Sequence, residues 1–260
     1  MVTTLFEHGH SIFRLDDVRN ILGLSAVSAR SFARKLIDRG VASRIKSGLF
    51  VLVPYEMGRE SQYLGNPYVA AREIVRGEDY YLSHGTAMEI HGMVTQPQLI
   101  VTITTLKTRR PVAAQGARFR FVHCRQRNFF GLTDIWATKQ EKVRVSDPER
   151  TIIDGLNRPG YCGGLTEVAK ALWIKRQDLD TLKLVDYAER LGVGAVLRRL
   201  GYLLETYELG TPEILERLRG RLTSTSARLD PILPAGGRRL GRWRLQLNVP
   251  VEELMAVAHT

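Results

Sequence analysis

The sequence predicts an α+β protein: an N-terminal winged helix-turn-helix over residues 1–56, followed by a larger α+β body over residues 57–260 with a mixed sheet and helices. Three observations lead there. Residues 15–53 hold two helix patterns, a tight turn and a strand-turn-strand, in that order. Runs of β-branched and aromatic residues follow between positions 99 and 146. From position 148 the apolar residues return mainly at helical spacing. Strands and helices are thus largely segregated along the body, which is the α+β arrangement.

The first helix opens with the acidic pair Asp16 and Asp17, which suits the positive end of a helix dipole. Leu15, Val18 and Leu22 recur at helical spacing with Ile21 beside them, and Gly23 stands where a left-handed terminator is needed. Ser25 caps a second helix from residue 26 to about residue 39, and Gly40 ends it. In this helix Ala29, Phe32, Ala33, Leu36 and Ile37 form an apolar stripe, leaving Ser28, Arg30, Ser31, Arg34 and Lys35 for solvent or a ligand. Residues 44–53 complete the unit as a strand, a Lys46-Ser47-Gly48 turn and a second strand.

Between residues 25 and 47 six basic residues face one acid, Asp38. Short hydroxyls and arginines on one helical face reach base edges and phosphates without bulk, and the start of such a helix offers free N–H groups to a phosphate. The expected contacts with double-stranded DNA are Ser25, Ser28, Arg30, Ser31, Arg34 and Lys35 from the helix. Arg44, Lys46 and Ser47 are the expected wing contacts, to backbone or minor groove.

Composition agrees with such a partner. The formal net charge is +11 over 260 residues, a balance that suits nucleic acid or an anionic surface. Two cysteines, Cys124 and Cys162, make no disulfide framework, so a cytoplasmic location is expected. The first residues lack a basic stretch followed by an apolar core, so no signal peptide is expected. No apolar run approaches the roughly 20 residues that span a bilayer.

Residues 54–67, bracketed by prolines, read as a linker. Helices are expected at 68–76 and 79–91, then strands at 99–104, 117–123, 132–138 and 142–146. Helices follow at 148–156, 165–175, 178–191, 193–207 and 212–218, then a Gly/Arg-rich strand region at 229–247 and a last short helix from Pro250.

Catalytic signatures are missing. His84 and His91 lie seven apart, whereas a zinc site wants ligands at i, i+4 or a third close ligand, so no metal and no cofactor is expected. No G-x-S-x-G, phosphate loop or G-x-G-x-x-G occurs. A nuclease using Asp134, Lys139, Asp147 or Glu149 would want an acid-x-Lys pair, which Gln140-Glu141-Lys142 misses. Asp147-Pro148-Glu149 is self-sufficient as a helix start: a cap, a proline that costs no hydrogen bond, and an acid at the dipole's positive end. The chain is expected to be no enzyme.

Positive charge also gathers in the body. Residues 106–127 hold Lys107, Arg109, Arg110, Arg118, Arg120, Arg125 and Arg127 and no acid. Arg238, Arg239, Arg242 and Arg244 surround Trp243. Either group extends a footprint along phosphates, meets an acidic protein or an RNA, or serves solubility.

Two segments carry a resemblance. "YYLSHGTAMEIHG" at 80–92 and "VSDPERTIIDGL" at 145–156 resemble the AbiEi-type antitoxins, regulators of phage-defence systems. Ser83, Ala87 and Gly92 fit the first family pattern, and Asp147, Pro148, Glu149, Arg150, Ile152, Ile153 and Asp154 fit the second. The order and spacing match up to about residue 210. The resemblance implies the antitoxin half of a two-gene, type IV toxin–antitoxin operon. It implies an N-terminal domain that represses the operon at promoter inverted repeats. It further implies a C-terminal antitoxin domain that counters a nucleotidyltransferase-like toxin, with no stable complex required. A monomer that pairs cooperatively on DNA is expected. The alternative is a ligand-sensing winged-helix repressor without a toxin, which would need an apolar pocket in the body.

Overall fold

A computed structural model describes residues 1–7, 10–57 and 63–256. In chain order the elements begin with α1 (Val2–Glu7), β1 (Ile12–Arg14), α2 (Leu15–Leu22), α3 (Ala26–Asp38), β2 (Ala42–Lys46) and β3 (Leu49–Leu52). Next come α4 (Pro67–Val75), β4 (Tyr80–Leu82), α5 (His84–Ile90), β5 (Ile100–Thr105), β6 (Val112–Ala114), β7 (Ala117–His123), β8 (Leu132–Trp136) and β9 (Lys142–Ser146). The chain continues through α6 (Pro148–Asn157), α7 (Leu165–Ile174), α8 (Thr181–Leu191), α9 (Gly194–Thr206) and α10 (Pro212–Gly220). It closes with β10 (Ala227–Arg228), β11 (Arg238–Leu240), β12 (Leu245–Leu247) and α11 (Val251–Ala256). The fold is α+β, with eleven α-helices and both mixed and antiparallel sheets among the described residues.

The chain forms two compact units and passes between them several times. The first comprises Met1–Leu82, Leu99–His123 and Asp134–Arg144, the second Ser83–Gln98, Cys124–Thr133 and Val145–Thr260. The boundary expected after residue 56 falls inside the first unit.

In the first unit, α2 ends at Gly23, whose φ of +65° is cheap only for glycine, and its N–H returns to the Arg19 carbonyl. Two residues later the Ser25 hydroxyl accepts the Ser28 N–H at 3.2 Å and starts α3. The inner stripe of α3, Ala29, Ala33 and Leu36, packs with Val18, Phe13, Phe50 and Leu52. Phe13 and Phe50 stack at 5.4 Å across the antiparallel β1-β3-β2 sheet.

Hydrogen bonds from Arg14, Lys46 and Gln115 tie this small core to the rest of its unit. Arg14 pairs with Glu73 of α4 at 3.1 Å, Lys46 Nζ donates to the Ile74 carbonyl at 2.8 Å, and Gln115 Nε2 donates to the Arg44 carbonyl at 2.7 Å. Each joins residues distant in sequence, which is why the linker expected at 54–67 does not separate two bodies. Tyr55–Met57 form a 3-10 turn, Asn66 caps α4, and residues 58–62 of that stretch lie outside the described residues.

The larger sheet runs β6-β7-β5-β4-β9-β8, with β5 parallel to β7 and antiparallel to β4. One expectation is corrected here: residues 79–91 are strand β4 followed by α5, not one helix. Tyr80, Tyr81 and Leu82 are all buried in a central strand, and a short apolar run buried on both faces lacks the alternation that tells strand from helix.

The second unit is built around α6, which is buried over nearly its whole length and packs against α5, α7, α8 and α9. The Gly/Arg-rich region after α10 belongs to this core. It folds as a small mixed sheet, β10-β12-β11, and buries Trp243 completely against α9.

Candidate nucleic-acid interface

The outer face of α3 is where most of the expected DNA contacts collect. Ser28, Arg30, Ser31, Arg34 and Lys35 are all exposed. Arg30, Arg34 and Lys35 pair with no carboxylate among the described residues. Ser25 is occupied twice, accepting the Ser28 N–H and donating to the Ser28 hydroxyl at 3.0 Å. Between α3 and the β2–β3 hairpin lies a cleft of about 540 Å³. Arg30 and Arg34 line it from the helix, Arg44 and Ser47 from the hairpin, and Ala33 and Phe50 form part of its apolar lining. Three cations thus meet over one concavity, a field that concentrates phosphate.

Lys46 is placed differently from its neighbours. Its ammonium is half-buried on the Ile74 carbonyl, and burial, with Arg14 and Arg109 adding positive charge, pulls its pKa below the usual lysine value. It serves as a tie to α4. The tie is invisible in sequence because its partner lies 28 residues away.

The sequence-contiguous basic stretch 106–127 is divided between the units. Lys107, Arg110 and Arg118 are exposed in the first, and Arg109 donates to the Val75 carbonyl at 2.7 Å. Arg120 lies half-buried on β7, while Arg125 and Arg127 are exposed in the second unit. Arg238 and Arg239 are exposed on β11, Arg242 pairs with Glu205 at 2.7 Å, and Arg244 donates to the Thr223 carbonyl.

Val27 is a residue that reasoning from charge and hydroxyls does not reach. It is 73% exposed and lies on the same helical face as Arg30, Ser31 and Arg34.

The motif at 147–154 is engaged in structure. Asp147 caps α6 through the Arg150 N–H at 2.8 Å, and its other oxygen accepts the Tyr187 hydroxyl at 2.9 Å and Lys183 at 3.1 Å. Glu149 takes Lys183 at 2.7 Å and the Asp180 N–H at 3.1 Å, joining α6 to the start of α8. Arg150 and Asp154 pair at 2.9 Å inside the unit, with the Arg150 guanidinium over the Phe130 ring. Every carboxylate of the motif is therefore committed to holding α6.

Burial pushes the Glu149 carboxyl up, but the hydrogen bonds from Lys183, from the Asp180 N–H and from its own N–H outweigh burial and hold it below the ordinary range. A depressed carboxylate contributes stability that is present above its unfolded value of about 4.3 and is lost as pH falls through the folded value. Glu149→Gln should therefore melt below the parent at pH 7, and the gap should narrow below about pH 4. Thermal midpoints across that range check this, and a gap independent of pH contradicts it.

The remaining reactive groups are quiet. His84 Nδ1 lies 2.9 Å from the Ser83 hydroxyl and meets Tyr161 edge-on, and His91 Nε2 bonds the Ser146 carbonyl at 2.7 Å. Burial pushes the Cys124 thiol up to about 11 and raises that of Cys162 as well, away from the reactive thiolate. Among the described residues no cluster of three or more His, Cys, Asp or Glu is placed to hold a metal ion, and no helix is long and apolar enough to cross a membrane.

Residues 81–206 match the family model of the AbiEi antitoxin C-terminal domain. That segment, just under half of the chain, takes in the second sequence motif and all but the first residue of the first, and it is similar to the AbiEi antitoxin C-terminal domain. Among solved structures, the crystal structure of the RV2827C protein from Mycobacterium tuberculosis is similar over 100% of this chain and 93% of that one, with a TM-score of 0.72 at 17% identity. That likeness is one of fold. No curated protein matches the chain.

Proposed function

We propose that this chain is the antitoxin of a two-gene toxin–antitoxin system and that it represses its own operon. In this reading residues 15–53 are a winged helix-turn-helix, α3 enters the major groove, and the β2–β3 hairpin is the wing. The AbiEi domain counters a nucleotidyltransferase-like toxin in the cytoplasm, without catalysis, cofactor or an obligatory stable complex. The observation that carries the DNA-reading half is the face of unpaired cations on α3 opposite Arg44 and Ser47, in a chain whose residues 81–206 match the AbiEi antitoxin C-terminal domain.

Ser28, Arg30, Ser31, Arg34 and Lys35 contact DNA from the helix, and Arg44 and Ser47 from the wing. Lys46, held by Ile74, positions the wing. Arg110 and Arg118, exposed in the same unit, lengthen the phosphate track. Monomers pair on the inverted repeats.

Replacing Arg34 and Lys35 together with Ala should weaken binding to the promoter fragment by about tenfold or more. It should also flatten the log–log salt dependence by roughly 0.9 for each phosphate left without its cation. Both residues are exposed, so the melting point should stay put. An unchanged mobility shift in the double variant contradicts the assignment.

A further inference from the structure

We infer that Val27 reads a base: its exposed side chain, in line with Arg30, Ser31 and Arg34, packs on the 5-methyl group of a thymine in the major groove. The inference rests on the DNA-reading function proposed above and adds the class of base that this helix selects.

Position 27 precedes 30, 31 and 34 by three, four and seven residues, so the four side chains lie on one face of α3. The opposite face is the one that packs, through Ala29, Ala33 and Leu36. Among the described residues Val27 stays 73% exposed, although a branched aliphatic residue at an exposed helix start gains neither helix propensity nor burial. Around it stand the Ser25–Ser28 hydroxyl pair and the unpaired guanidinium groups of Arg30 and Arg34. A ligand drawn by those cations therefore meets one apolar contact at the helix start.

In the major groove, thymine is the standard base that presents an apolar group, its C5-methyl, whereas arginine pairs best with guanine N7 and O6. N-terminal residues of a groove-lying helix are the ones that reach base edges. Val27 and Arg30 are about 4.5 Å apart along the helix axis. With base steps of about 3.4 Å, this places the thymine one or two steps from a guanine taken by Arg30. A phosphate-only contact gives Val27 no role.

The test uses the full-length protein and about 200 base pairs from immediately upstream of its own gene, amplified either with thymidine or with deoxyuridine triphosphate. Uracil keeps base pairing and phosphate charge and removes the methyl groups. The parent protein should bind the thymine fragment about fourfold more tightly, the equivalent of ~0.8 kcal/mol for one buried methyl. Val27→Ser should lose about that factor on thymine DNA and bind both fragments alike, with an unchanged melting point and sedimentation coefficient. Equal binding of both fragments by the parent, or a full thymine preference kept by Val27→Ser, overturns the inference. A change in association state on Val27→Ser overturns it too, and assigns Val27 to a contact between copies. If the parent binds neither fragment, the DNA-reading function itself fails.

Discussion

Replacing Trp243 with Ala should lower the unfolding midpoint of the second unit by on the order of 10 °C, from a loss of about 3–5 kcal/mol at about 2–4 °C per kcal/mol. The indole is fully buried, and its Nε1 donates to Glu205 Oε2 at 2.8 Å. Its ring lies so close to Gly201 on α9 that a Cβ there would overlap it. Glycine in mid-helix costs about 1 kcal/mol of helix propensity, and here that freedom of space is what lets the indole reach the helix backbone. The same carboxylate also holds Arg219 at 2.9 Å and Arg242 at 2.7 Å. Trp243→Ala therefore leaves a cavity and removes one donor while the ion pairs persist. Differential scanning calorimetry checks the size of the loss. A shift below about 2 °C would mean that the Arg-rich tail is an ornament on the second unit, not part of its core.

Arg199→Met should cost about 3–5 kcal/mol, although Met nearly preserves the volume. Arg199 is 4% exposed and donates to the carbonyls of Leu156 at 2.7 Å, Leu229 at 2.9 Å and Arg228 at 3.0 Å. One planar fork thus joins the end of α6 to the strand region after α10. Burial pushes its pKa down to about 10 against the pull of Asp230, so it stays charged at neutral pH. Without it, buried carbonyls lose their donors at about 1–3 kcal/mol each. Arg199→Lys should recover little, because an ammonium cannot span three carbonyls in a plane. Denaturant titration of the two variants checks this, and a lysine variant as stable as the parent contradicts it.

How much of the fold is legible in the sequence depends on how local each determinant is. The pair α2 and α3 can be read to within a residue at most ends, because caps, a terminator glycine and a 3.6-residue period all act within one turn. Strands β7 and β9 are legible at their observed bounds because a run of β-branched and aromatic residues is likewise a local signal. Short elements defined by a distant partner are not: β1 exists because Ile12 and Phe13 pair with Val51 and Phe50, and β6 because it lies along β7. Strand β4 merges in sequence with the following helix because its three residues are buried on both faces.

The candidate site shows the same division. Arg30, Arg34, Arg44 and Ser47 meet around one cleft, as their charge and spacing suggest. Lys46, an expected wing contact, also donates to the Ile74 carbonyl, a partner that its charge in the sequence does not show. The run of cations at 106–127 reads as one patch in sequence and is divided between the two units, with Arg125 and Arg127 belonging to the second.

The bonds from Arg14, Lys46 and the Arg44 carbonyl to residues 73–115 mean that cutting the chain near residue 60 would break the first unit. Division of labour is better probed with surface variants in the full chain. Antitoxin action itself is tested most directly by co-expression with the product of the gene adjacent downstream, scored by growth. The neighbour should arrest growth alone and be harmless alongside this protein. The Arg34→Ala, Lys35→Ala variant should still protect. A neighbour that is harmless by itself, or an arrest that persists with the folded protein present, contradicts the antitoxin function.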